Sequence, residues 1–326
     1  MAAHTIRNTL FNALFFVLIG SVLLLASTGC SSSTIREVNP YQGTKGLVMS
    51  FMKQMPPDQI YENERFPIGI SIENKGAHDV GTGSAVLTII SENDIVKVED
   101  SLPYDDFDVS ELFGKNLYSD KGGKKLVHLT ARSGIIKDFT VIKDINLIAQ
   151  LCYEYVTYYS SPICIDAYSH DDSFAKPCVS KVLTSSGTGA PVAVSKIETR
   201  FSKKTNLYGA DIFVPSFLVF IKKVSDEDII DAARIYDICT GQPVGKDDFG
   251  KIYIEEAWLG VVEMECTPNP LKISPISSEE FQGTSMRCVP KQEYDNDIPY
   301  DTYIKFKLKY GVSQKIAKKI RVENVD

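Results

Sequence analysis

Residues Ile304 to Tyr310 alternate without a fault, with Ile304, Phe306, Leu308 and Tyr310 set against Lys305, Lys307 and Lys309. A period of two sends successive side chains to opposite faces, so this stretch is a strand with one apolar and one charged face. The same signature occurs earlier in the chain. Leu151-Cys152-Tyr153-Glu154-Tyr155 matches Leu308-Lys309-Tyr310-Gly311-Val312, and twelve positions after each leading leucine stands Ile163-Cys164-Ile165 or Ile320-Arg321-Val322. The copies superpose without a gap, which marks an internal repeat. In each copy the spacing predicts two alternating strands joined by a short polar loop. Ala149, Leu151, Tyr153 and Tyr155 take the inner face of the first copy, and Cys152 points away from it. Cys164 on the returning strand is then the expected disulfide partner of Cys152.

The beginnings of the two halves are also alike. Gly46 to Met52 is a strand candidate, and Phe66 to Ile72 alternates and stops at Glu73-Asn74-Lys75-Gly76, where Asn and Gly suit a tight turn. Ala85 to Ile90 returns as the next strand. In the second half, Pro191 to Val194 and Ile212 to Ile221 play the first two parts. Short strands with regular turn signals predict a mainly β protein, two tandem immunoglobulin-like antiparallel β-sandwiches after an N-terminal signal or anchor helix. The expected divisions are a signal or anchor over 1–30, a polar tether over 31–40, a first domain over 41–167, a linker over 168–190 and a second domain over 191–326. The linker is rich in Ser, Gly, Asp and Pro and includes Cys178. A short helix is expected in the second domain, capped by Ser225 with Asp228 three residues on and Ile229, Ala232, Ala233 and Tyr236 at helical spacing. Ile252 to Cys266 reads as a hairpin with Glu263 and Glu265 outward.

The N-terminus supplies an address. Arg7 precedes an apolar stretch from Leu10 to Ala26, the layout of an export signal. Ser27-Thr28-Gly29-Cys30, followed by Ser31, Ser32, Ser33 and Thr34, resembles the lipobox of exported lipoproteins. That resemblance implies cleavage before Cys30 and a lipid on its thiol. Ser27 departs from the family pattern, which has a large aliphatic residue there. The alternative is an uncleaved signal anchor, since Leu10 to Ala26 is close to the length that crosses a bilayer. Either way the expected location is the cell surface, membrane-anchored and extracytoplasmic.

The cysteines fit that compartment. Beyond Cys30 there are Cys152, Cys164, Cys178, Cys239, Cys266 and Cys288, an even set that reads as three disulfides in an exported chain. Zinc fits poorly, because the spacings are wide and no C-x-x-C occurs. The formal net charge of −7 argues against nucleic acid, whose phosphates need a basic surface.

Phe66 to Gly76, Leu151 to Ile165 and Gly189-Ala190-Pro191-Val192-Ala193-Val194 together resemble envelope lipoproteins of archaea with tandem immunoglobulin-like domains of the CARDB or adhesion type. The resemblance spans most of the mature chain and rests on turns, strand ends and cysteines. It implies the sandwich fold and the surface location, and it transfers no active-site residue.

No catalytic constellation emerges. Ser50-Phe51-Met52-Lys53 fits S-x-x-K in letters only, because it lies in a strand and lacks its S-D-N and K-T-G companions. Gly81-Thr82-Gly83 and Gly187-Thr188-Gly189 are turns without a βαβ frame. Asp295, Asp297 and Asp301 are weak calcium candidates, as are Asp105, Asp106 and Asp108, but neither cluster has the spacing of an EF-hand. Tyr158 and Tyr159, expected in the loop of the first repeat copy, are candidate ligand contacts. The sequence therefore predicts no enzyme and no cofactor. It predicts a surface module for adhesion or envelope assembly, held to the membrane through its N-terminus, with a protein or glycan partner. A solute- or glycan-binding lipoprotein accessory to a transporter or surface enzyme is the alternative.

Overall fold

The computed structural model describes residues 39–92, 95–136, 141–168, 175–185, 187–205, 209, 211–273, 284–292 and 298–324. The export signal, the anchor and Cys30 lie outside the described residues. In chain order the strands are β1 (Leu47–Phe51), β2 (Gln59–Tyr61), β3 (Arg65–Asn74), β4 (Ala85–Ser91), β5 (Val96–Val98), β6 (Lys124–Ser133), β7 (Ile142–Ile165) and β8 (Leu183–Thr184). They continue as β9 (Val192–Thr205), β10 (Asp211–Lys223), β11 (Asp228–Ile230), β12 (Lys251–Leu259), β13 (Val262–Thr267), β14 (Leu271–Lys272), β15 (Thr284–Pro290) and β16 (Tyr300–Glu323). One short helix, α1 (Ile235–Cys239), follows β11.

The architecture is mainly β, with every strand pair antiparallel except β2 against β16. The halves repeat one pairing plan. In the first, β1, β3, β6 and β5 form a sheet in that order, and β4 pairs with β7. In the second, β9, β10, β15 and β13 follow the same order, and β12 pairs with β16. The starts equated in the sequence, Gly46–Met52 with Pro191–Val194, are thus the equivalent strands β1 and β9.

The expected hairpin within each repeat copy does not form. Residues 142–165 and 300–323 are each one unbroken strand of 24 residues. The ladder between them explains why: β7 and β16 pair antiparallel from Ile142↔Glu323 to Ile165↔Tyr300. Strands this long are rare, and it is that length prior which favours reading a hairpin here. Ser160-Ser161-Pro162 also lacks the Gly or Asn that a tight turn needs. Glu154 and Gly311 hold the same place in the two copies and face each other directly. The ladder therefore has a local twofold about that pair. β4-β7-β16-β12 run side by side as the central part of a twelve-stranded sheet drawn from both halves, which continues through the β12–β13 hairpin into β15, β10, β9 and β8. The described residues pack as one compact unit across the expected 168–190 linker, in which β8 pairs with β9 and Cys178 bonds to Cys164.

One hydrophobic core follows the inner faces of these sheets. Ile68, Ile70 and Ile72 of β3 share it with Leu151, Tyr153 and Tyr155 of β7, and so do Val219 and Ile221 of β10 with Leu308 and Tyr310 of β16. Each buried aliphatic side chain contributes about 1.5–3 kcal/mol by leaving water. The outer face of β16 keeps Lys305, Lys307 and Lys309, as alternation requires.

Tyr153 and Tyr310, matching positions of the repeat, do matching work. The Tyr153 hydroxyl accepts from Leu47 N–H at 3.1 Å, at the start of β1. The Tyr310 hydroxyl accepts from Val192 N–H at 3.3 Å, at the start of β9, and shares a 2.8 Å hydrogen bond with Thr157. Each repeat copy thus ties down the first strand of its own half.

The insert between β10 and β12 departs from the expected helix. Residues 228–230 form β11, which extends the central sheet beside β16. Asp231, not Ser225, caps the next turn, where its carboxylate accepts from Ala233 N–H at 3.0 Å. It also accepts from Lys251 at 2.8 Å and from the Tyr253 hydroxyl at 3.1 Å. Burial pushes the Asp231 carboxyl up, but those three donors outweigh it and hold it below the usual aspartate value. A depressed folded-state pKa adds stability above the unfolded value near 3.8, and that stability is lost as pH falls through the folded value. Asp231→Asn is expected to cost about 2 kcal/mol at pH 7, through a weakened cap and ion pair. Urea unfolding at pH 7 and pH 3 checks this, since the difference between the two proteins should shrink in acid.

Candidate functional site

The outer face of the central sheet is where the fold leaves chemistry exposed. On it, Tyr158 pairs across the ladder with Lys307, which pairs in turn with Glu256. The next row is Ser160, Lys305 and Trp258. Beyond Tyr153, β7 has no β4 partner, and the chain around Asn39 and Tyr41 runs past that side together with Ser185, Gly187 and Thr188. Between this wall and the two rows lies a groove of about 540 Å³. That is the size range of a small-molecule site, and planar rings with a few fixed polar groups are its usual lining.

Tyr158 is 39% exposed, whereas Tyr159 is 9% exposed with its ring 6.3 Å from Phe306. Both line the groove, but on the side of a continuous strand and not in a loop. The expected disulfide Cys152–Cys164 is absent: Cys164 bonds to Cys178 and Cys266 to Cys288, while Cys152 and Cys239 are thiols. The correction has the same cause as the lost hairpin, because β7 never turns back on itself to bring Cys164 to Cys152.

Sequence reasoning missed Trp258 and Tyr41. Trp258 was legible, since carrying the 262–266 alternation back through the Gly260 turn puts Ala257 and Leu259 inward and Trp258 outward. Tyr41 was not, because nothing local says that the tether-proximal chain folds back over β7.

Charge on this face is organised. Lys307 lies 3.1 Å from Glu255 and 3.5 Å from Glu256, and Lys309 lies 2.9 Å from Glu154. The Glu255 carboxylate holds the Lys307 ammonium above its usual pKa, so the lysine stays charged.

His78 links the groove to the core. Its ring stands 5.3 Å from Tyr155 and 6.1 Å from Tyr158, and its backbone N–H donates to the Tyr155 hydroxyl at 3.2 Å. Burial depresses its pKa despite the nearby carboxylates of Asp79 and Glu154. A histidine that prefers to be neutral when folded makes the protein less stable as pH falls below 6.5, because the unfolded chain then binds the extra proton. Melting temperature is expected to fall between pH 7.5 and pH 5.5, and His78→Gln should flatten that slope.

Among the acidic candidates, Asp295 and Asp297 lie outside the described residues. Asp301 opens β16 beside the Cys164–Cys178 sulfurs, which are spent on each other and offer no thiolate. Asp108 is used locally, accepting from Ser110 N–H at 2.7 Å. No helix among the described residues is long and apolar enough to cross a membrane. Comparison with known proteins finds no family model and no curated protein that matches this chain.

Proposed function

We propose that this chain is a non-enzymatic binding module for adhesion or envelope assembly, anchored at the cell surface through its N-terminal apolar segment. The anchor is a lipid on Cys30 or the uncleaved helix itself. The observation that carries the reading is the groove: Tyr158, Tyr41 and Trp258 border it, with Lys305, Lys307 and Glu256 beside them. Flat rings stack on the apolar face of a sugar, and paired charges satisfy its hydroxyls. An envelope glycan is therefore the partner that this lining suits. Each half is read as an immunoglobulin-like sandwich, and the shared central sheet as the fusion of two such modules. What supports this is the repeated pairing order and the two equivalent tyrosines.

A solute-binding accessory to a transporter or surface enzyme is the second reading, favoured by a groove whose volume matches a few sugar units better than a polymer. Sedimentation of the full-length protein in detergent with insoluble envelope material tests the first. Wild type should co-sediment, and Trp258→Ala and Tyr158→Ala should bind at least about tenfold more weakly. Equal binding by all three proteins would rule the groove out as the contact surface. Binding of free oligosaccharide without retention on envelope would favour the second reading.

A further inference from the structure

The two unpaired thiols sit against each other where the halves meet. Cys152 projects from the outer face of β7, and Cys239 ends α1 in the insert of the second half. They are 0% and 1% exposed. With Val86, Ile230 and Ile235 they form a small apolar cluster separate from the main core. Cys239 donates to the carbonyl of Val86, the residue opposite Cys152 in the ladder, at 3.1 Å, and it packs in the same cluster as Cys152. Around Cys152, the Gln150 side-chain amide and the Ser313 hydroxyl each lie 3.7 Å from the sulfur. This is a dithiol in contact, supported by polar neighbours, in a chain whose other four described cysteines are already crosslinked.

We infer that Cys152 and Cys239 form a third, reversible disulfide that locks the insert of the second half onto the sheet of the first. The insert meets the central sheet through three residues of β11 beside β16 and through α1, whose Ile238 carbonyl accepts from the Gln150 side-chain amide of β7. Its residues Ala232 and Ala233 also border a second hollow on the outer face, beside Glu154 and Lys309. The lock therefore fixes one rim of the exposed face.

The chemistry needs a disulfide-bearing oxidant, either a small disulfide or a protein of the dithiol–disulfide exchange class. Cys152, deprotonated, attacks one sulfur of the donor disulfide and expels the other as a thiol. The Gln150 amide and the Ser313 hydroxyl beside the sulfur can donate to that thiolate and favour it. Cys239 then gives up its proton and attacks the Cys152 sulfur of the mixed disulfide, releasing the second thiol. Two S–H bonds are exchanged for one S–S bond, and two electrons leave with the donor, which departs as two thiols. Since both sulfurs are buried, exchange takes place before the insert docks or while it is lifted.

The test is to refold the full-length chain in a buffer of reduced and oxidised glutathione, trap thiols with an alkylating agent and map peptides by mass spectrometry. The expected result is a Cys152–Cys239 crosslinked peptide beside Cys164–Cys178 and Cys266–Cys288. The oxidised protein should also melt several degrees above Cys152→Ala/Cys239→Ala, which keeps the other two bonds. If Cys152 and Cys239 both carry the alkyl label in protein whose other two disulfides have formed, the inference is overturned. The peptide map reads wild-type protein, so its result does not depend on whether the double variant folds.

Discussion

Replacing Tyr310 with alanine is expected to lower the unfolding free energy by about 4 kcal/mol, as large aromatic-to-alanine changes in a core do. Tyr310 is fully buried, and its ring lies 6.5 Å from that of Tyr155. Truncation opens a cavity at the centre of the sheet shared by the halves. It also strands one buried donor, the Val192 N–H, whereas the Thr157 hydroxyl keeps its 2.8 Å hydrogen bond to the Val192 carbonyl. Tyr310→Phe separates these effects. It keeps the packing and loses only the hydroxyl, so about 1–2 kcal/mol is expected. Tyr153 should follow the same pattern through Leu47, because it holds the equivalent place. Denaturant unfolding of the four variants checks this. Similar losses at the two sites would follow from their equivalence, whereas a loss at only one would show that they are not equivalent.

Gly76→Val is the second large effect, with an expected cost of about 3 kcal/mol or more. A Cβ at Gly76 would lie 2.0 Å from the Tyr155 hydroxyl, 2.5 Å from the Gly189 carbonyl and 2.7 Å from the Lys45 carbonyl. The tyrosine can shift, but the two carbonyls are backbone. Overpacking that forces backbone to move costs about 1–3 kcal/mol, occasionally more. Here the displaced segments lead directly into the groove wall at Tyr41 and Gly187–Thr188. Loss of stability should therefore come with loss of groove binding, and even Gly76→Ala should show both. Thermal melts paired with a binding assay separate this from a purely structural defect, since Tyr310→Phe should lower stability and leave the groove intact.

Much of this was legible in the sequence where physics is local. Alternation along Ile304–Tyr310 placed the inner and outer faces of β16 correctly, and the gapless repeat marked Tyr153 and Tyr310 as equivalents. The Asn74–Gly76 turn was foreseen, with the Asn74 carboxamide accepting from Gly76 N–H at 3.1 Å. The reason for the glycine was not foreseen: it makes room for three neighbouring segments and does not adopt a positive φ. What the sequence hid were long-range choices. Within residues 142–165 the missing turn residue at 160–162 is only a weak sign that they run on, because the choice depends on a partner more than a hundred residues away. The cysteine pairing went astray with it. Tyr158 was expected in a loop and Trp258 was not singled out, and only the register of three strands brings them to one groove.

The chain contains a single tryptophan, Trp258, so intrinsic fluorescence reports on the groove without labels. The most direct test is to titrate the full-length protein with envelope-derived oligosaccharides while following that emission. A saturable change in wild type, lost or weakened at least about tenfold in Tyr158→Ala, is the predicted result. Emission that stays flat with every oligosaccharide, while the protein still binds envelope material, would contradict the groove as the contact site.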